Sequence, residues 1–173
     1  MDVSAVLGAD VQPIRARKPP WFKVPPPGGE RYRELTAMIK DENLHTVCQE
    51  AACPNVGECW ERGTATFMIL GDTCTRRCGF CNVNSGKPTW NDPLEPARVA
   101  RSIAKMGLRH AVITSVDRDD LPDYGSGIWA ATIRQCRAQA PDCKVEVLTP
   151  DFRGEEMPLA RVLAERPDVF NHN

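Results

Sequence analysis

Residues 66 to 81 read TFMILGDTCTRRCGFC and join two signals in one short stretch. The first five residues form an apolar run with the length and composition of a buried strand. Three of the chain's eight cysteines follow, with three residues between Cys74 and Cys78 and two between Cys78 and Cys81. In folds built from parallel strands, the loop after a strand is where active sites lie. The stretch therefore predicts a chemically active loop at the end of a buried strand.

The same alternation of strand and helix continues downstream. Strand patterns occupy residues 110–116, 143–149 and 168–173, and helical patterns occupy residues 95–108, 126–139 and 154–166. Apolar, β-branched strands that alternate with helices predict an α/β fold with a parallel sheet covered by helices, here a partial βα barrel. Three βα units fill residues 66 to 167, and a fourth strand then opens. We expect a barrel truncated after about three units, hence a fragment, a shortened form or half of a split gene.

The residues before this sheet divide into two regions. Residues 1–30 are predicted to form an extended arm, because five prolines and two glycines fall within residues 18 to 32 and exclude a helix or a central strand. Trp21 and Phe22 are expected to hold this arm against the body. Residues 31–65 are predicted to hold an amino-terminal helix and then a cysteine-bearing loop, residues 46 to 60. Residues 66–173 are the predicted first part of the barrel.

Composition excludes several classes of protein. The 173 residues carry a net charge of -1 and are 42% hydrophobic, which is ordinary for a globular protein without a basic surplus for nucleic acid. No apolar run is long enough to span a membrane, and no secretory signal is present. Asp2 and Asp10 argue against an organellar transit peptide. We expect a cytoplasmic protein with no membrane partner, in a reducing compartment where clustered cysteines indicate metal binding or catalysis.

Six cysteines form two triplets with unequal gaps. Cys48, Cys53 and Cys59 make the first, and Cys74, Cys78 and Cys81 make the second. Structural zinc usually takes four ligands in two close pairs, whereas neither triplet supplies its own fourth ligand. A [4Fe–4S] cluster held by three thiolates keeps one iron open to a small molecule, so iron–sulfur fits better. Cys78 and Cys81 taken alone would favour zinc.

The remaining chemically active side chains have simpler interpretations. Cys136 shares the apolar face of a predicted helix, and Cys143 opens a predicted strand, so both are expected in the core. His110 begins a strand and is interpreted as structural. Arg76 and Arg77 are either solvated or offset the charge of a thiolate-ligated cluster.

Six stretches extend this pattern to a known family. CTRRCGFC resembles the CxxxCxxC signature of radical S-adenosylmethionine enzymes, and TVCQEAACPNVGECW, AVITSVDRDDLPD and EVLTPDFRG are similar to lipoyl synthases. KPPWFKV is similar to that family's amino-terminal wrap, and FNHN to its fourth-strand motif. The resemblance runs from about residue 17 to the end, and the two consecutive triplets are its most specific part.

The resemblance implies two [4Fe–4S] clusters. Cys74, Cys78 and Cys81 would hold the cluster whose open iron binds S-adenosylmethionine, which is then cleaved to a 5′-deoxyadenosyl radical. The first triplet would hold an auxiliary cluster that gives up sulfide. Its fourth ligand in the family is a serine of an Arg-Ser-Ser-Tyr motif, which this sequence lacks.

The resemblance also implies contacts to S-adenosylmethionine. Phe80 would pack against the adenine, and Ser115, Asp117 and Arg118 end the strand where the family binds this cofactor. Further candidates for the ribose or methionine part are Glu146 and Asn171. Each could instead be a capping residue, and the acidic turn at residues 117–120 could be solvated. Tyr124 replaces the first of two glycines usual in the family, so we expect an altered turn there.

The implied reaction inserts two sulfur atoms, at C6 and C8 of a protein-bound octanoyl group, with two molecules of S-adenosylmethionine. The implied partners are octanoylated lipoyl carrier domains, namely the acyltransferase subunits of 2-oxoacid dehydrogenases and the glycine-cleavage carrier protein, and a low-potential electron donor. Two alternatives remain open: another radical enzyme that inserts sulfur or a methylthio group, and a non-catalytic metal-binding fragment.

Overall fold

A computed structural model describes residues 19–20, 27–42, 44–50 and 53–172 of the chain. Most of the predicted arm, with Trp21 and Phe22, lies outside the described residues. The division of the chain at residues 30 and 65 stays a prediction. No helix among the described residues is long and apolar enough to cross a bilayer.

The described chain is built around one mostly parallel sheet. Its elements in chain order are α1 (Glu30–Asp41), β1 (His45–Thr46), α2 (Val47–Glu50), α3 (Val56–Glu61), β2 (Thr64–Ile69), β3 (Thr73–Cys74), β4 (Asn84–Ser85), α4 (Glu95–Lys105), β5 (His110–Ser115), α5 (Ser126–Gln139), β6 (Lys144–Thr149), a 3-10 turn (Phe152–Gly154), α6 (Glu156–Ala164) and β7 (Val169–His172). The five-stranded sheet has the order β1-β2-β5-β6-β7. Strands β2, β5, β6 and β7 pair in parallel, and β1 pairs with β2 antiparallel.

Alternating side chains give the sheet two different faces. Ala111 and Ile113 of β5 and Val145 and Val147 of β6 are fully buried in the core with the helices. Their neighbours along the strands are partly exposed on the opposite face, as strand geometry requires. The strand and helix alternation predicted from the sequence is confirmed, with helices between successive parallel strands. A closed barrel is not shown, because β7 is the last strand described.

Two features confirm the predicted helix patterns in detail. Val99, Ile103 and Met106 are buried on one side of α4 and just after it, and Gly107 follows with φ +59° in the left-handed conformation common after a helix end. In α1, Leu35 and Ile39 are buried, and Tyr32 stacks on Trp60 of α3 with ring centroids 5.2 Å apart. The first helix therefore packs on the segment that carries the first cysteine triplet.

Two local expectations change. The segment predicted as a loop at residues 46 to 60 contains the short helices α2 and α3, which are too short to give a periodic signal. Leu70, expected in the first strand, lies beyond β2 with φ +69°.

At the turn before α5, Tyr124 adopts φ +53° and Gly125 φ +79°, so a tyrosine does occupy a left-handed position where the family usually has glycine.

Candidate functional site

The second cysteine triplet lies at a cavity of about 240 Å³ near the carboxyl ends of β2, β5 and β6. The cavity lining comprises Val47, Thr66, Met68, Cys74, Arg76, Cys78, Phe80, Cys81, Val83, Ser85, Thr114, Ser115, Val116, Asp117 and Leu148. One side of this cavity is the open face of the parallel sheet, and the other is the cysteine loop. The predicted active loop therefore lies where the sequence placed it, at the ends of the strands.

Cys74 is the anchored member of the triplet. Its side chain is buried, and its Sγ accepts backbone N–H groups from Arg76 at 3.4 Å and from Asp117 at 3.3 Å. Burial raises the pKa of the Cys74 thiol, while these two donors lower it. Two N–H groups aimed at one sulfur are suited to a thiolate, which is the form that binds iron. Cys78 and Cys81, by contrast, are exposed.

Asp117 joins the loop to the end of β5. Its carbonyl accepts from the backbone N–H of Thr75 at 3.0 Å and from the Thr75 hydroxyl at 3.0 Å. Its carboxyl group lies 3.8 Å from Cys74 Sγ, and burial raises the pKa of this carboxyl above its ordinary value. The strand end and the beginning of the loop thus form one hydrogen-bonded unit.

Arg76 extends this unit to a second strand end. Its guanidinium donates to both carboxylate oxygens of Asp119, each at 2.8 Å, and its Nη1 lies 2.7 Å from Asp151 Oδ1. Asp119 follows β5 and Asp151 follows β6. These ion pairs raise the pKa of Arg76, with Asp119 the largest cause. The sequence suggested that Arg76 is either solvated or offsets the charge of a cluster. It did not predict this pairing, because the partners are 43 or more residues away along the chain.

Ser115 is a lining residue of this cavity at the end of β5. Its Oγ is buried and has no hydrogen-bond partner among the described residues. A buried hydroxyl without a partner is uncommon and suggests a missing ligand group. Phe80 also lines the cavity, with 81% of its surface exposed, so an aromatic face is free to receive a planar group.

Three residues that the sequence grouped with this site lie elsewhere. Arg118 is 3% exposed and donates to Asp120 and to the carbonyl oxygens of Leu70 and Trp90. Glu146 accepts from Asn171 Nδ2 at 2.6 Å, and its other carboxylate oxygen lies 2.7 Å from His110 Nε2. None of these side chains lines the cavity. Their contact with S-adenosylmethionine stays a prediction.

The first triplet lies on and between the two short helices that precede β2. Cys48 belongs to α2, immediately after Val47, which is a lining residue. Cys59 belongs to α3, and the backbone N–H of Cys53 donates to the carbonyl of Cys48 at 3.0 Å. Burial raises the pKa of the Cys59 thiol, with smaller contributions from Cys48 and Cys53. The two triplets are therefore separate groups on neighbouring elements.

Among the described residues, no three His, Cys, Asp or Glu side chains converge as ligands of a single metal ion. Each thiolate of a [4Fe–4S] cluster binds a different iron, so its ligands surround a volume rather than a point. A cavity bordered by three cysteines, with a buried hydroxyl lacking a partner, fits such a cluster and a small polar ligand. Cys136 and Cys143 are buried in the core as predicted, and burial raises the pKa of Cys136 to about 12.

Comparison with known proteins agrees with this site. Residues 68–173 match the model of the radical SAM superfamily, and residues 7–53 match that of the N-terminal domain of lipoyl synthase. Lipoyl synthase of Rubrobacter xylanophilus is 57% identical over 159 residues, which are 92% of this chain and 50% of the relative. Those of Roseiflexus sp. and Thermus thermophilus are 53% and 55% identical over 99% and 94% of this chain, and 58% and 50% of the relatives.

The chain spans about half the length of these curated relatives. The model of the superfamily covers the whole region from the end of β2 onward, including the cysteine loop, most residues of the cavity lining and every later parallel strand. The chain therefore belongs to the radical SAM superfamily.

Proposed function

We propose that the complete protein is a lipoyl synthase, which inserts two sulfur atoms into a protein-bound octanoyl group. The observation that carries this proposal is the pair of cysteine triplets, with the second at the strand-end cavity and the first on the elements next to it. The relatives that match along this chain are named lipoyl synthases, which supports the same assignment.

The superfamily implies S-adenosylmethionine and an iron–sulfur cluster. Cys74, Cys78 and Cys81 are the residues that would hold this cluster. A cluster held there would supply the one-electron chemistry by which S-adenosylmethionine is cleaved to methionine and a 5′-deoxyadenosyl radical. The chain's own contribution is to present three thiolates on one loop and to leave the fourth position to the ligand.

Other residues of the cavity have roles that follow from their chemistry. We assign the Ser115 hydroxyl to a hydrogen bond with a polar group of S-adenosylmethionine, and Phe80 to packing against its adenine. Met68, Val116 and Leu148 give the sheet side an apolar surface, which limits water beside a reactive carbon radical. The protein thus orients the reactants and excludes side reactions, while the cofactor supplies the chemistry.

The first triplet is proposed to hold the auxiliary cluster that donates sulfur. Val47 of α2 lines the cavity, and Cys48 is the next residue, so sulfur held there would lie close to the reacting carbon. Antiparallel pairing of β1 with β2 fixes α2 against the first parallel strand. C6 and C8 of the octanoyl group carry no acidic proton and are not electrophilic, so they need a radical route of this kind. The proposed partners are octanoylated lipoyl carrier domains and a low-potential electron donor.

The test is sulfur insertion by the complete protein after anaerobic reconstitution with iron and sulfide. An octanoylated carrier-domain peptide should gain two sulfur atoms by mass spectrometry, with release of 5′-deoxyadenosine. The same peptide with an unmodified lysine is the matched control and should gain none. Sulfur transfer to another class of acceptor, but not to the octanoyl peptide, would contradict the proposed substrate. Zinc in place of iron, or no 5′-deoxyadenosine, would contradict the proposed chemistry.

A further inference from the structure

The cysteine loop is held firmly at its beginning and weakly at its end. Cys74 and Thr75 are hydrogen-bonded to Asp117, and the Thr75 hydroxyl accepts from the backbone N–H of Asp119 at 3.1 Å. In residues 77–81, by contrast, the described chain shows no side-chain hydrogen bond or ion pair, and all five residues are exposed. Two of the three cysteines therefore lie on the part of the loop with the fewest restraints.

Arg76 is the last restrained residue before those two cysteines. Its side chain is 28% exposed and binds Asp119 in a bidentate pair while it also reaches Asp151. We call Arg76, Asp119 and Asp151 the Arg76 ion-pair network. A planar guanidinium with fixed donors can bind two carboxylates at once in one orientation, which a lysine ammonium does less specifically.

We propose that Arg76 is a positioning residue for the cluster ligands: through Asp119 and Asp151 it fixes the loop of Cys78 and Cys81 to the ends of β5 and β6. The inference rests on the proposed cluster at Cys74, Cys78 and Cys81. Fixing this loop would restrict where Cys78 and Cys81 lie relative to Cys74 and to the end of β5, and therefore how a cluster and its ligand would be held. Small displacements of bound groups have large effects on reactivity, so this restraint matters for the reaction.

Two simpler roles for Arg76 give different expectations. If Arg76 acts only through its charge, then removal of Arg76 and removal of an acidic partner should change the affinity for a charged ligand in opposite directions. If it only stabilises the fold, then its loss lowers thermal stability and cluster content without changing the affinity of the protein that remains loaded. If Arg76 positions the cluster ligands, then loss of Arg76 and loss of an acidic partner should both lower the affinity for S-adenosylmethionine, while the cluster still assembles.

The experiment compares Arg76→Gln, Asp119→Asn and Asp151→Asn after anaerobic reconstitution of the protein. Iron content, the electron paramagnetic resonance spectrum of the reduced cluster with and without S-adenosylmethionine, and the Kd for S-adenosylmethionine are measured. We expect near wild-type iron content, a broadened spectral response to S-adenosylmethionine, and a Kd raised by about tenfold in Arg76→Gln and Asp119→Asn. The double variant Arg76→Gln with Asp119→Asn should bind about as weakly as Arg76→Gln alone, because the loss of Arg76 already removes its interaction with Asp119.

Arg77 provides the matched control within the same loop. It is exposed and has no ion pair among the described residues, so Arg77→Gln removes the same charge without touching the ion-pair network. Its Kd should stay within about twofold of wild type. Arg76→Lys keeps the charge but reaches one carboxylate at a time, and we expect it to recover only part of the lost affinity. If Arg76→Gln does not fold, Arg76→Lys and Asp119→Asn still decide the question.

Opposite shifts of the Kd in Arg76→Gln and Asp119→Asn would overturn the proposal in favour of a charge effect. Variants of Arg76 that bind S-adenosylmethionine as well as Arg77→Gln would overturn it in favour of a purely structural role. Failure of the wild-type protein to assemble an iron–sulfur cluster would instead contradict the proposed function, before any variant is compared.

Discussion

At the scale of single residues, removal of the Ser115 hydroxyl tests ligand binding and fold stability separately. Its Oγ is buried without a partner among the described residues, so Ser115→Ala removes no hydrogen bond from the folded chain. Burying a polar group without a partner is unfavourable by about 1–3 kcal/mol, so the alanine variant should be as stable as wild type or more stable. If Ser115 binds S-adenosylmethionine, the same variant should bind it less tightly. Thermal unfolding and a binding titration measure the two effects.

Ser102 is the control for this prediction. Its hydroxyl is also buried without a partner in the described chain, but it lies on α4 and not in the cavity lining. Ser102→Ala should therefore preserve or raise stability and leave the affinity for S-adenosylmethionine unchanged. Equal affinity in Ser115→Ala and Ser102→Ala would show that Ser115 does not contact the ligand.

Glu95 gives the fold a pH dependence that can be measured. Its carboxyl group is 6% exposed and accepts from the backbone N–H groups of Leu70 at 2.7 Å and Gly71 at 3.4 Å. Burial raises the pKa of Glu95 above its ordinary value of 4.5, and the two backbone donors oppose this in part. The folded state therefore holds the proton more strongly than the unfolded state.

Its contribution to stability is fully present below the unfolded pKa and is lost as the pH rises from about 4.5 to the raised pKa of the folded state. Glu95→Gln does not titrate, so its stability relative to wild type should increase with pH across that interval and then level off. Urea unfolding of both proteins from pH 4 to pH 8 checks this. A difference that is constant with pH, or that decreases as the pH rises, would contradict the assignment to Glu95.

At the scale of elements, the contact between the end of β2 and the start of α5 depends on a glycine. Gly125 precedes α5 with φ +79°, and a Cβ there would lie 2.4 Å from Leu70 Cδ1. Gly154 has a similar φ of +80°, but a Cβ there would meet no atom within 4 Å. Both alanine variants incur the backbone strain of about 1–2 kcal/mol for a left-handed residue, but only Gly125→Ala adds a clash.

We therefore expect Gly125→Ala to destabilise the fold by about 1–3 kcal/mol more than Gly154→Ala, as overpacking of a core does. Chemical denaturation of the two variants provides the comparison. Equal losses would mean that Leu70 moves away without penalty, and that the turn at the end of β2 is not fixed by this contact.

The elements themselves were largely predictable, for reasons that differ along the chain. Strands β5 and β6 and helix α5 have apolar periodicities that local sequence records directly, and α5 occupies the predicted residues 126–139. The helices α2 and α3 have 4 and 6 residues, fewer than two turns, so no periodicity distinguishes them from a loop. The left-handed Leu70 was not predictable either, because its conformation depends on Glu95 and Arg118, which are distant in sequence.

The site was predictable to the extent that its residues are close in sequence. Cys74, Cys78, Cys81 and Phe80 share one loop, and Ser115 and Asp117 end a neighbouring strand, so the strand order brings them together at the cavity. The ion pairs of Arg76 escaped prediction because several acidic residues were available and only the folded chain selects among them. The acidic turn at residues 117–120, which could have been solvated, instead pairs with Arg76 and Arg118.

At the scale of the whole molecule, both cysteine triplets lie on segments next to β2 of the sheet, and the second triplet borders the cavity. Cys48 of the first triplet lies on α2, directly after β1, which pairs with β2. The second triplet lies in the segment that follows β2 and lines the cavity. Trp60, which is fully buried and stacks on Tyr32, fixes α3 and its Cys59 to the rest of the chain. Under the proposed function, the second triplet would serve the radical chemistry and the first would serve as the source of sulfur.

The most direct test of the central claim is the response of the reduced iron–sulfur cluster to S-adenosylmethionine in two triple variants. One replaces Cys48, Cys53 and Cys59 by alanine, and the other replaces Cys74, Cys78 and Cys81. After anaerobic reconstitution, we expect the electron paramagnetic resonance spectrum to change on addition of S-adenosylmethionine in the first variant and not in the second. A spectral change that survives the loss of Cys74, Cys78 and Cys81 would contradict the account.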